Sequence, residues 1–259
     1  LGAIFLIGLL FVTTAGDTGV QTRAMGCLSN MRQLTRAWQL YAADNRDFYP
    51  PNVNDFGRNW VAGPVDDPTR EAVTGARLVD GRYSALGPYS RDPVLYRCPA
   101  DPSTLRFGGT SVPRPRSCSA NQAVGTKSDG FSPADGPWLD GAFGHTANRT
   151  WYTYGKVTDV IRPSPSRLWI LIDEDEFSIN DGGFGLSMRQ PGEWIDWPAT
   201  RHDTGATIAF ADGSAEMHRW KDSRTPVRNG NVNRRSVPGS VDLLWLQERT
   251  TTLVGGNRP

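Results

Sequence analysis

The sequence predicts an α+β domain in which a long N-terminal α-helix packs on an antiparallel β-sheet with long loops, and a short helix closes the chain. Three observations carry this expectation. A helical pattern runs with no proline from the start of the chain to Asp44-Asn45. A continuous apolar run, Leu168-Trp169-Ile170-Leu171-Ile172, lies between Pro163/Pro165 and a string of acids, as a central strand does. Within Arg201–Trp220, Asp212-Gly213 separates two alternating segments. That is a strong hairpin signal, because the turn needs positive φ and glycine supplies it without strain.

The elements follow in chain order. Leu1–Ala15 carries no charge, and its 15 residues would make a helix about 22 Å long. That is short of the roughly 20 apolar residues that span a bilayer. It reads as a signal-peptide core, a buried helix, or the distal part of a membrane helix. From Val20 onward Ala24, Cys27/Leu28, Met31, Leu34, Trp38 and Tyr41 recur at steps of three and four, with Arg23, Arg32, Gln33 and Arg36 opposite. Residues 1–45 are therefore expected to form one helix, with a membrane or filament half over 1–19 and an amphipathic half over 20–45. Residues 46–259 form the globular part. Val53–Pro93 reads as loops and short elements, Pro99–Pro115 as a long surface loop and Gly125–Asn148 as an irregular Gly-rich insertion. Val157–Ile161 is strand-like. Ser240 is a good N-cap for a final helix over Val241–Arg249.

Composition narrows the chemistry. The chain has 259 residues, a formal charge of +1, 28 Gly, 19 Pro and nine Trp. No global field points to nucleic acid. Gly, Pro and Trp in these amounts suggest a loop-rich domain plugged by aromatics. The three cysteines, Cys27, Cys98 and Cys118, form no C-x-x-C, and there are three His, so local spacing gives a zinc site little support. One disulfide remains open, either Cys98–Cys118 or Cys27–Cys98.

Six segments, taken in order, resemble a family. Cys27-Leu28-Ser29-Asn30-Met31-Arg32-Gln33-Leu34, then Trp38, Tyr41, Asp44-Asn45 and Pro50-Pro51-Asn52, is similar to the C-x-N-L-R-Q-L … Y-x-x-D-N-x-x-x-x-P segment of type IV pilin-like (prepilin-type) proteins of the planctomycete and verrucomicrobial kind. His202 with Asp212-Gly213 matches that family's His-x9-Asp-Gly signature. Tyr96–Asp101, Arg116–Asn121, Ile172–Glu174 with Ser178–Gly182, and Trp245–Thr250 resemble its intervening and closing motifs. The resemblance implies a pilin-like fold and a structural subunit of a type IV pilus-like or type II secretion pseudopilus-like filament, not an enzyme. It implies storage in the inner membrane, then a periplasmic or cell-surface location, with self-assembly among like subunits through the N-terminal helix. The family's Gly–Phe processing site and its following glutamate do not occur in Leu1–Gly19. Either the sequence starts within that helix, or the subunit is not processed there. Cys118 stands where the family carries an aromatic residue.

Two groups are candidates for chemistry. Asp173, Glu174, Asp175, Asn180 and Asp181, with Glu176, supply many hard oxygens in a short loop. Calcium takes six to eight such oxygens, and related pseudopilins hold calcium near the end of the head, so calcium is the one cofactor expected. The bland alternative is a solvated turn whose acids cap backbone groups. His202 reads as a brace for the hairpin, and Asp212 as the residue that shapes its turn. The competing function is an envelope-anchored or secreted carbohydrate-binding protein or hydrolase. It would use the acidic loop, His202, a carboxylate pair drawn from Asp173, Glu174 or Glu193, and exposed tryptophans.

Overall fold

The structure, a computed structural model, describes residues 15–53, 58–61, 63–67, 69–227, 230, 232 and 234–255, with helix side chains described from residue 19 onward. Of the half expected over 1–19, residues 1–14 lie outside the described residues. Among the described residues no helix is long and apolar enough to cross a membrane.

Helix α1 spans Ala15–Asp44. Cys27, Met31, Leu34, Trp38 and Tyr41 are all buried. Steps of three and four place them on one face, as their spacing requires. Arg32, Gln33, Arg36 and Gln39 are exposed on the other. The first turns behave differently: Val20 is 45% exposed and Met25 61%, so Cys27 is the first buried one among the described side chains of the helix. At the far end the Asn45 side-chain amide donates to the Tyr41 carbonyl at 2.7 Å. Arg46 and Asp47 then adopt left-handed φ values of 56° and 65° and turn the chain away.

Three one-turn helices follow, α2 (Arg70–Val73), α3 (Ala76–Val79) and α4 (Gly87–Ser90), and a 3-10 turn over Pro93–Tyr96. The long surface loop expected over Pro99–Pro115 is instead mostly a hairpin, β1 (Thr104–Phe107) with β2 (Thr110–Pro113). Its turn is Gly108-Gly109, with φ of 54° and 82°, the backbone that two-residue hairpin turns demand. Val157–Ile161 is also corrected. Val157–Asp159 forms a 3-10 turn, because the Asp159 carboxylate accepts the Gly155 and Lys156 amides and closes a cap.

The main sheet has five strands in the order β5-β3-β4-β7-β8, from β3 (Cys118–Asn121), β4 (Trp169–Asp173), β5 (Gly183–Phe184), β7 (Gly205–Phe210) and β8 (Ala215–Arg219). The pairings β3–β4, β4–β7 and β7–β8 are antiparallel, while β5 joins β3 in parallel. Every residue of β4 and β7 is buried. Both faces are covered, which is why 168–172 is continuously apolar rather than alternating. A two-stranded pair, β6 (Glu193–Trp194) with β9 (Arg235–Ser236), lies apart. Helix α5 (Val241–Gln247) closes the chain, and the Ser240 hydroxyl accepts the Leu243 amide as its N-cap.

Helix α1 lies along β7 and β8. Thr207 Oγ1 donates to Cys27 Sγ at 3.1 Å, and Gln39 Nε2 donates to the Ala211 carbonyl at 3.3 Å. The hairpin turn therefore meets the helix. Gly213 has φ of 91°, and a Cβ there would sit 2.9 Å from Gln39 Nε2. Asp212 shapes the turn as expected, its Oδ1 accepting the Ser214 amide at 2.9 Å. Around the helix the loops are plugged by aromatics: Trp38 meets Tyr49 at 6.2 Å and Trp60 at 5.8 Å, and Trp60 stacks on Tyr96 at 6.3 Å.

Trp38 is fully buried where helix, sheet and loops meet. Trp38→Ala is expected to lower unfolding free energy by about 3–5 kcal/mol, measured by urea denaturation of the full chain. A loss under about 1 kcal/mol shows that α1 is not packed as described.

Candidate functional site

Four segments distant in sequence meet beside the first buried turn of α1. The helix supplies Cys27. The loop after the Pro93–Tyr96 turn supplies Cys98. The C-terminal end of β4 supplies Asp173, and the segment before β7 supplies His202. One potential donor atom from each lies within 4.8 Å of the others, and all four residues are buried.

Each donor is held by its own local structure. Gly26 lets the helix approach the Cys98 loop, since a Cβ there would lie 3.2 Å from Pro99 Cγ. Asn30 Nδ2 donates to the Arg97 carbonyl at 3.1 Å, and the Cys98 amide donates to Ser117 Oγ at 2.8 Å. His202 is fixed by a tight reversal. Its amide and carbonyl pair with Gly205, while Asp203 and Thr204 take φ of 51° and 61°. A Cβ on Gly205 would fall 2.5 Å from the His218 carbonyl, so only glycine admits this crossing.

The inner geometry is close. Cys98 Sγ lies 3.1 Å from His202 Nε2. Asp173 Oδ1 accepts Ser117 Oγ at 2.8 Å and Arg201 Nη1 at 2.9 Å. Two buried atoms at the cluster, Asp173 Oδ2 and His202 Nδ1, have no hydrogen-bond partner. Arg201 lies against the cluster with 7% of its side chain exposed, its Nη2 3.0 Å from Glu176 Oε2 and 3.7 Å from Asp101 Oδ1.

The charges shift accordingly. A hydrogen bond with Cys27, and then His202, pulls the Cys98 thiol down against its burial. The same bond with Cys98, joined by burial, pushes Cys27 up. Burial opposes the His202 imidazolium, but the bond to Cys98 and its charge raise it overall. Burial pushes Asp173 up to about 7, with Arg201 opposing. Arg201 loses by burial, yet Asp173, Asp101 and Glu176 hold it protonated more firmly than a free guanidinium. Such a site can ligate a soft or borderline metal or pair its two thiols. As a nucleophile–base pair it lacks a third group to orient the imidazole, whose Nδ1 is unpartnered.

The acidic loop is distributed otherwise. Among the described residues, Cys27, Cys98, Asp173 and His202 are the one group of three or more His, Cys, Asp or Glu close enough to share an ion. Asp173 joins that cluster, whereas Glu174 Oε1 accepts Ser178 Oγ at 2.8 Å. Asp175 accepts the Phe177 amide at 3.0 Å and Asp181 the Gly183 amide at 2.8 Å. Asn180 is exposed, with its carbonyl bonded to the Val65 amide. Alternation past the end of β4 sends consecutive carboxylates to different partners. Asp173, Glu174 and Asp175 are nonetheless buried, so the segment is not a solvated turn.

His202 and Asp212 stand at opposite ends of β7, about 20 Å apart by strand rise. Cys118 is separate from the cluster, its Sγ donating to the Tyr96 carbonyl at 3.4 Å, and all three cysteines are free. Arg201, although adjacent to His202, carries no motif that marks it as the local counter-charge. Comparison with family models, curated proteins and solved structures finds no match to this chain.

Arg201→Met keeps the volume and removes the charge. It is expected to destabilise the fold by about 3–5 kcal/mol, because buried Asp173 is left without its cation. Chemical denaturation measures this, and Arg91→Met on the exposed end of α4 serves as a control with little effect.

Proposed function

We propose that this chain is the structural subunit of a type IV pilus-like or type II secretion pseudopilus-like filament, held in the inner membrane before assembly. The observation that carries the reading is the division of α1. From Cys27 to Ala42 one face is buried on the head, while residues 19–23 and Met25 are exposed on the helix that leads back toward Leu1–Ala15. A helix leaving a head in continuity with an uncharged apolar sequence suits storage in lipid and later packing against identical helices.

The alternative, sugar binding or hydrolysis, draws less support. Trp38, Trp60, Trp169, Trp194, Trp197 and Trp220 are buried, and Trp138, Trp151 and Trp245 are half-buried, so no tryptophan is an exposed platform. The cleft beside the acidic loop, bordered by Asn180, Asp181, Asp196 and Trp138, holds about 100 Å³. Ligand pockets commonly hold roughly 300–1,000 Å³.

Electron microscopy of the full chain, expressed with a pilus assembly system, tests the proposal. Filaments are expected from the native sequence. They should be lost in Leu9→Lys, because a lysine within the membrane costs about 3 kcal/mol and spoils apolar helix packing. The head of that variant should melt as the native head does. A membrane-held native chain that forms no filaments overturns the proposal.

A further inference from the structure

We propose that Cys27, Cys98, Asp173 and His202 are the four ligands of a structural zinc ion that ties helix α1 to the head. This goes beyond the filament reading and does not depend on it.

The donor set comes first. Two sulfurs, an imidazole nitrogen and a carboxylate oxygen are the ligand types zinc takes in four-coordinate sites. Calcium takes six to eight oxygens, and thiols are poor ligands for it. The number matches as well. Zinc ligand distances of roughly 2.0–2.3 Å in a tetrahedron place the donors about 3.3–3.8 Å apart. The four donors here already lie within 4.8 Å of one another, so closing on an ion takes side-chain movement of about 1 Å.

An independent observation points to a ligand. Asp173 is wholly buried, with one carboxylate oxygen bonded to Ser117 and Arg201 and the other, Oδ2, bonded to nothing. An unmatched buried carboxylate oxygen is costly, and coordination satisfies it. Zinc with two thiolates, a carboxylate and a neutral imidazole carries one negative charge in excess, and the Arg201 guanidinium lies against it, 2.9 Å from Asp173 Oδ1. A carboxylate that ligates through one oxygen and is gripped through the other is a usual way of aiming a metal ligand.

Cys98 also borders a groove of about 640 Å³ between α2, the Pro93–Tyr96 turn and the β1–β2 hairpin, with Pro99, Phe107 and Val112 among its walls. Binding releases the remaining thiol protons to solvent and changes no oxidation state.

The test uses the full chain, reduced and detergent-solubilised, titrated with cobalt(II) and then zinc. One cobalt per chain is expected, with thiolate-to-cobalt charge-transfer bands and the intense visible bands of tetrahedral cobalt, bleached by one equivalent of zinc. Cys118→Ser should behave as the native chain. Cys27→Ser, Cys98→Ser and His202→Gln should each weaken zinc binding by more than the roughly 10–100-fold that loss of a ligand's hydrogen-bond partner costs. No cobalt uptake by the reduced native chain, weak octahedral bands without charge transfer, or equal affinity in Cys98→Ser overturns the proposal. So does a Cys27–Cys98 disulfide that persists in place of metal when both are offered. If a cysteine variant fails to fold, the native spectrum and Cys118→Ser still decide.

Discussion

The burial of one face of α1 on the sheet is the constraint from which the rest of the structure follows. Without the helix, Thr207 and Ala209, which share the face of β7 that meets Cys27, would lie open on that side, although every residue of the strand is buried. Helix and sheet are also fastened at both ends of the contact, by Thr207 to Cys27 and by Gln39 to Ala211. The loops depend on the same contact. Trp38 belongs to the helix, Trp60 and Tyr96 to loop segments, and the three rings form a continuous series. A chain with so much Gly and Pro has few regular elements to set its loops, and large rigid side chains reaching into a common core do that work.

The second constraint is electrostatic. Asp173, Glu174, Arg116 and Arg201 lie at or near the end of β4 and are almost excluded from water. Buried charge is tolerated when each group is paired and hydrogen-bonded. Arg116 donates to the Cys118 carbonyl at 2.8 Å, and Arg201 grips Asp173, Glu176 and the Glu174 carbonyl. Burial lowers Arg116 and raises Glu174, whereas Arg201 gains protonation because three carboxylates surround it. The end of the central strand is thus a polar junction inside the molecule, and the cysteine–histidine cluster belongs to it.

Where a feature is encoded by neighbours in the chain, the sequence revealed it. The α1 stripe, the apolar strand, the Asp212-Gly213 turn and the Ser240 cap all depend on short-range patterns, and the structure has each of them. The β1–β2 hairpin carried an equally local signal, Gly108-Gly109 between Thr104–Phe107 and Thr110–Pro113, which was overshadowed by the prolines around it. Strand β3 carried none: Cys-Ser-Ala-Asn has neither alternation nor β-branched residues, and its place is set by its neighbours β4 and β5. The cluster was illegible for a related reason. Its ligand types come from positions 27, 98, 173 and 202, so no spacing rule reaches them. The motifs that carry the family resemblance hold all four residues, but a motif taken singly does not say which others it meets.

The location of the cluster gives it mechanical meaning. Among the described side chains of α1, Cys27 is the first buried one, and residues 19–23 and Met25 before it are exposed. A pull or bend applied to the outer part of the helix is therefore felt first at this turn. Apolar packing resists such a load weakly at its edge, because peeling one residue exposes little area at a time. The proposed zinc ligation, anchored in β4 through Asp173 and in the approach to β7 through His202, would resist it differently, since the helix could not lift there without parting from both segments at once. In the proposed filament subunit, the angle between helix and head would set the shape of the assembly. The proposed zinc ligation would sit at the turn where the described buried face of the helix begins.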